Sequence, residues 1–152
     1  MSLIIRPAQS RDLATIMKLW LEGNLAAHDY IPARFWLDHE PAVRQAISES
    51  HVWVAEENTS LLGFIGLTKD HIAGLFVAGK AQNQGVGGKL ITHLQANQKR
   101  LNLTVYQKNT GAIHFYQQHG FSISHSQMDE ATGEREYWLT WEQDEKDGEP
   151  LL

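Results

Sequence analysis

The spacing of hydrophobic positions changes several times along the chain, and each change marks an element boundary. Leu3 to Arg6 reads as a short strand. From Ser10, which can cap a helix, Leu13, Ile16, Met17, Trp20 and Leu21 recur at helical spacing and predict an amphipathic helix that stops before Gly23. Residues 24–40 lose the period and crowd His28, Asp29, Tyr30, Phe35, Trp36, Asp38 and His39 together; Pro41 then stands where a helix to Glu49 would begin, with Val43 and Ile47 on its apolar side. Alternation over His51 to Glu57 and Leu61 to Thr68, with Asn58 to Ser60 between, predicts a hairpin, and Lys69-Asp70 turns the chain into a third strand of it, His71 to Ala78. A helix from Val86 to about Arg100 carries Leu90, Ile91 and Leu94 on one side. A strand Leu101 to Tyr106, a helix Asn109 to His119 and a hairpin of Phe121 to Asp129 with Glu134 to Trp141 complete the pattern, Thr132 and Gly133 supplying the last turn.

Composition narrows this to one compact unit. The 152 residues are 42% hydrophobic, sufficient for a single core, so residues 1–142 read as one domain and residues 143–152 as an acidic, flexible tail. No run approaches the roughly 18 apolar residues of a membrane span, and MSLIIRPAQS lacks a signal-peptide pattern, which points to the cytoplasm and away from membranes. Zero cysteines exclude disulfides, thiolate metal sites and a catalytic thiol. A net charge of −5 argues against a general nucleic-acid surface and suits cationic substrates. The eight histidines show no ligand-like spacing; His114 and His119 are five apart and face different ways, so no metal is expected.

The chemistry concentrates in Leu75 to Lys89, LFVAGKAQNQGVGGK, where an apolar strand meets a glycine-rich turn and then a helix. With no side chain at Gly85, Gly87 and Gly88, a diphosphate can approach backbone amides at the positive end of that helix. A P-loop is excluded because Leu90, not Ser or Thr, follows Gly88-Lys89. A dinucleotide fingerprint is excluded because Thr104, Val105, Tyr106 and Gln107 offer no acidic residue for a ribose. Gln82-Asn83-Gln84-Gly85-Val86-Gly87 instead resembles the coenzyme A loop of the GNAT N-acetyltransferase superfamily. About 25 residues on, Asn109-Thr110-Gly111-Ala112-Ile113-His114-Phe115-Tyr116 and Gln117 to Phe121 resemble that family's second element. In it Asn109 caps a helix, Ala112, Phe115 and Tyr116 share a face, and Gly120 ends the helix in a left-handed cap.

That resemblance implies an α/β fold of the α+β kind, a mixed, mostly antiparallel sheet flanked by helices and splayed between its fourth and fifth strands, with acetyl-CoA as co-substrate. It implies a pantetheine arm along Leu75, Phe76 and Val77, a diphosphate on Gln82, Asn83, Gln84, Gly85, Val86, Gly87, Gly88 and Lys89, with Asn109 beside them, a Leu75 amide polarising the thioester, and Tyr116 protonating the leaving sulfur. Protein-acetylating members place a carboxylate eleven residues before the loop; His71 holds that position and could act as base, directly or through water. The glutamate that another branch uses in the next strand is replaced by Thr104. His28, Asp29, Tyr30 and Trp36 fall on the acceptor side, where aromatic and acidic groups suit an ammonium. The expected activity is direct N-acetylation of a primary amine, a protein lysine ahead of a peptide N-terminus or small amine, by a monomer or homodimer. A non-catalytic acetyl-CoA sensor is the other reading, and the phenol of Tyr116 speaks for catalysis.

Overall fold

A computed structural model describes residues 2–144, so most of the expected tail lies outside the described residues. Seven strands form one sheet in the order β1-β2-β3-β4-β5-β7-β6, where β1 is Ile4–Pro7, β2 His51–Glu57, β3 Ser60–Thr68, β4 His71–Val77, β5 Arg100–Tyr106, β6 Ser122–Asp129 and β7 Glu134–Glu142. The predicted strands are all present within a residue or two. Helices α1 (Leu13–Ala27) and α2 (Ala33–Glu49) cover one face; α3 (Val86–Asn97) and α4 (Thr110–Gln118) cover the other. Alternation sorts the strands between two cores: Val52, Val54 and Phe64 meet α1 and α2, while Ala55, Ile65 and Leu67 meet α3.

Four helix boundaries differ from the sequence expectation. Ser10 does not cap α1: Ser10–Asp12 form a 3₁₀ turn, in which the Gln9 amide donates to Asp12, and α1 follows from Leu13. Helix α3 ends at Asn97 rather than about Arg100, because Arg100 already opens β5. Helix α1 runs through Gly23 to Ala27, because Gly23 lies in its buried side, where a Cβ would come within 2.5 Å of Phe76 Cδ1. Helix α2 begins at Ala33 rather than Pro41: Pro32, at φ −56°, starts it, the Phe35 amide bonds to the Pro32 carbonyl, and Pro41 sits inside. Proline removes one bond to the carbonyl four residues back, and here that residue is Leu37, 55% exposed, whose carbonyl water can satisfy.

The sheet opens between β4 and β5. These strands run parallel and pair only at His71 with Asn102. On the other edge of β4, Leu67 opposes Ile72 while Gly66 opposes Gly74, leaving Ala73 as an extra residue. This bulge bends β4 away from β5 one step after their single pair. Leu75, Phe76 and Val77 remain paired with Ile65, Phe64 and Gly63 but have no partner strand on the open side. Among the described residues no helix is long and apolar enough to cross a membrane.

Candidate functional site

The splay forms a cleft of about 340 Å³ with β4 (Ile72 to Val77) on one side, β5 (Leu103 to Tyr106) on the other, α1 and Trp36 above one face and α4 above the other. Leu75, Phe76, Val77, Gln82, Asn109, Tyr116, His28 and Trp36 all line it, so residues from both motifs and from the acceptor-side crowd meet in one place.

The glycines of the loop divide their work. Gly85 caps α3 with φ +84°, and a Cβ there would meet nothing within 4 Å, so the amides at the helix start stay open. Gly87 and Gly88 are not open: a Cβ on each would touch Phe115 or His119 at 3.4 Å, so they let α4 lie close to α3. Val86 points into the core at 4% exposure, while Asn83, Gln84 and Lys89 project outward. Gln82 folds back, its amide donating to the Val77 carbonyl at 3.3 Å, and so ties the loop to the end of β4.

Asn109 caps α4 as expected, its side-chain oxygen accepting from the Ala112 amide at 3.3 Å. About two helical turns after Asn109, Tyr116 lies edge-on to Phe115 and Phe121 and is 8% exposed. Burial raises its pKa well above the ordinary phenol value, so it stays protonated at neutral pH.

His71 stands apart. It occupies the closed end of the splay, its Nδ1 2.7 Å from the Asn102 side-chain oxygen and its ring against Trp138, and it is not among the residues lining the cleft. Asp29 is exposed and also outside the lining. The face of Tyr30 is taken by the chain's own Lys108, whose ammonium lies 5.0 Å from the ring centre and pairs with Glu134 at 3.1 Å. Burial, helped by Glu134 and Asp29, pushes the Tyr30 phenol up to about 12.

Sequence reasoning missed three groups at the cleft. Asn24, 3% exposed in α1, stands one helical turn before His28, a spacing recognisable only once the helix is known to pass Gly23. Tyr106 donates to Asp129 at 2.7 Å, and burial with that bond raises its pKa. Glu136 arrives from β7 opposite Tyr106 and accepts from Gln127 at 2.8 Å. Among the described residues no three His, Cys, Asp or Glu side chains come together as a metal site.

The description "Acetyltransferase (GNAT) domain" fits residues 48–123, half of the chain and the part that builds the cleft's two strands and loop. The chain belongs to the GNAT acetyltransferases. The peptidyl-lysine N-acetyltransferase YiaC of Escherichia coli K12 is 39% identical over 140 residues, covering 91% of this chain and 96% of that protein. Among solved structures, apo YjaB from Escherichia coli superimposes with a TM-score of 0.82 at 26% identity, over 93% of this GNAT chain and 98% of that one. PaiA N-acetyltransferase from Thermoplasma acidophilum, in complex with coenzyme A, shares the fold at TM-score 0.78 and 16% identity, over 94% of this chain and all of that one.

Proposed function

We propose that this chain transfers an acetyl group from acetyl-CoA to a primary amine by direct attack, with a protein lysine as the acceptor, and that it works in the cytoplasm. The observation that carries the proposal is the splay itself, an unpaired edge of β4 that ends on an open helix N-terminus and has a buried phenol beside it. Leu75 to Val77 can pair with the amides of a pantetheine arm as with an added strand. The α3 N-terminus at Gly85 then receives the diphosphate, and Gln82, Asn83, Gln84 and Lys89 surround it. The Leu75 amide serves as donor to the thioester oxygen, and Tyr116, which lines the cleft and is protonated at neutral pH, supplies a proton to the departing sulfur. YiaC, a peptidyl-lysine N-acetyltransferase, supports the choice of a protein lysine.

The test is a screen of lysine peptides, peptide N-termini and small amines for acetyl-CoA-dependent release of coenzyme A, paired with calorimetry on Gly85→Glu. Bulk and charge at Gly85, beside the open amides of the α3 N-terminus, should abolish acetyl-CoA binding, and circular dichroism checks that the variant folds despite the positive φ at this position. Undiminished affinity in the folded variant would remove the basis of the assignment.

A further inference from the structure

Two asparagines fix the protonation of His28. Within α1 the Asn24 amide nitrogen donates to the Trp20 carbonyl at 2.9 Å, which turns its oxygen to His28 Nδ1 at 3.0 Å, so Nδ1 carries the hydrogen. Across the sheet, the Asn109 oxygen is committed to the Ala112 amide, which leaves its NH₂ facing His28 Nε2 at 3.4 Å, so Nε2 presents a lone pair. Helices from opposite faces thus select the same neutral tautomer. The ring stacks on Trp36 at 5.4 Å and meets Tyr30 and Tyr106 edge-on at 5.9 and 5.1 Å, and it lines the cleft with Leu75 and Tyr116. Tyr30 Oη and Trp36 Nε1 in this same shell are buried with no hydrogen-bond partner among the described residues.

We propose that His28 Nε2 accepts the proton that the acceptor amine loses, with Asn24 and Asn109 as positioning residues. The proposal rests on the acetyl-transfer reading. The amine nitrogen bonds to the acetyl carbon, the carbon–sulfur bond breaks, the amine proton passes to Nε2, and the sulfur takes the proton of Tyr116, which solvent restores. The imidazolium keeps its Nδ1–H on Asn24 and its face on Trp36. The Asn109 NH₂ shares the single Nε2 lone pair through a long 3.4 Å contact, which the incoming amine N–H displaces; the contact returns when Nε2 passes its proton to solvent, and this resets the site. His71, outside the cleft lining and held by Asn102, would need a relay to do the same. Burial holds His28 below the usual histidine value, so it is neutral at pH 7. The ionisable groups around it do not offset this. Tyr30 and Tyr106 stay protonated, Lys108 and Asp129 are engaged by Glu134 and Tyr106, Asp29 is exposed, and Glu136 is bonded to Gln127.

The test measures kcat against pH for wild type, His28→Gln and His71→Ala on a lysine peptide, acetyl-CoA affinity by calorimetry, and the wild-type histidine rings by ¹⁵N NMR. His28→Gln should lower kcat about 10- to 1,000-fold, remove the acidic limb that lies below pH 6.5, and leave acetyl-CoA affinity unchanged. NMR should find His28 as the Nδ1–H tautomer at pH 7. Full turnover with the limb intact in His28→Gln overturns the proposal, as does an Nε2–H or doubly protonated His28 at pH 7, which wild type reports even if the variant fails to fold. Loss of the limb in His71→Ala alone also overturns it while leaving acetyl transfer standing. A wild type that neither binds acetyl-CoA nor releases coenzyme A from any acceptor overturns the acetyl-transfer reading, and this proposal with it.

Discussion

Tyr116 is packed in the core at the position where the proposed chemistry needs a proton donor. Its ring is wedged between Phe115 and Phe121, and its hydroxyl is kept protonated by the same burial. Phenylalanine fills that volume without the proton, so Tyr116→Phe should keep Tm and acetyl-CoA affinity near wild type and lower kcat roughly 10- to 1,000-fold. Thermal melts, calorimetry and steady-state rates on one acceptor decide it, and full turnover would mark Tyr116 as a core aromatic alone. Residues such as Tyr116, Asn109 and Gly85 were legible because their neighbours in sequence define their environment: a cap, a helix face, a turn. Asn24 was not. A polar residue after a glycine looks like loop, and only the long-range packing of α1 on β4 shows that it is buried with its amide spent on Trp20.

At the scale of elements, α1 and β4 are fitted together through one ring. Phe76 lies between two missing side chains: a Cβ on Gly23 would come within 2.5 Å of its Cδ1 and one on Gly74 within 2.8 Å of its Cε2. The ring therefore cannot swing from one intruder without meeting the other. Gly23→Ala should gain about 1 kcal/mol in helix propensity and lose about 1–3 kcal/mol to overpacking, with net destabilisation expected. Urea unfolding measures the balance, and a stabilised variant would show that Phe76 repacks freely. The same close fit explains the misread end of α1: a glycine usually punctuates a helix, and here it serves an approach that only the tertiary structure shows. Pro41 misled in the same way, since proline opens helices more often than it sits in an exposed middle turn. Strand positions were read almost to the residue because alternation and turn chemistry are local. The extra residue Ala73 was not legible, since a bulge is defined by its partner strand.

Across the whole molecule, the sheet consists of two blocks, β1 to β4 and β5 with β7 and β6, joined edge to edge at a single pair. The order of elements followed from the hydrophobic pattern, and the position of the splay from the family resemblance that the two motifs carry. The cleft's far wall, with Tyr106 and Glu136, did not, because β7 reaches it by a pairing that sequence order does not announce. A ligand lying along β4 bridges the blocks, so acetyl-CoA at ~100 times its Kd should add about 2.7 kcal/mol to unfolding and raise Tm by roughly 5–10 °C in a chain of this size. Differential scanning fluorimetry should show the rise in wild type and none in Gly85→Glu; a flat wild-type response would contradict a ligand that spans the gap. The incomplete seam between β4 and β5 then makes durability conditional. Proteases act on transiently opened chains in proportion to their population. The lifetime of this enzyme would lengthen when acetyl-CoA is abundant and shorten in starvation, so that carbon supply would govern how much catalyst survives as well as how fast each copy turns over.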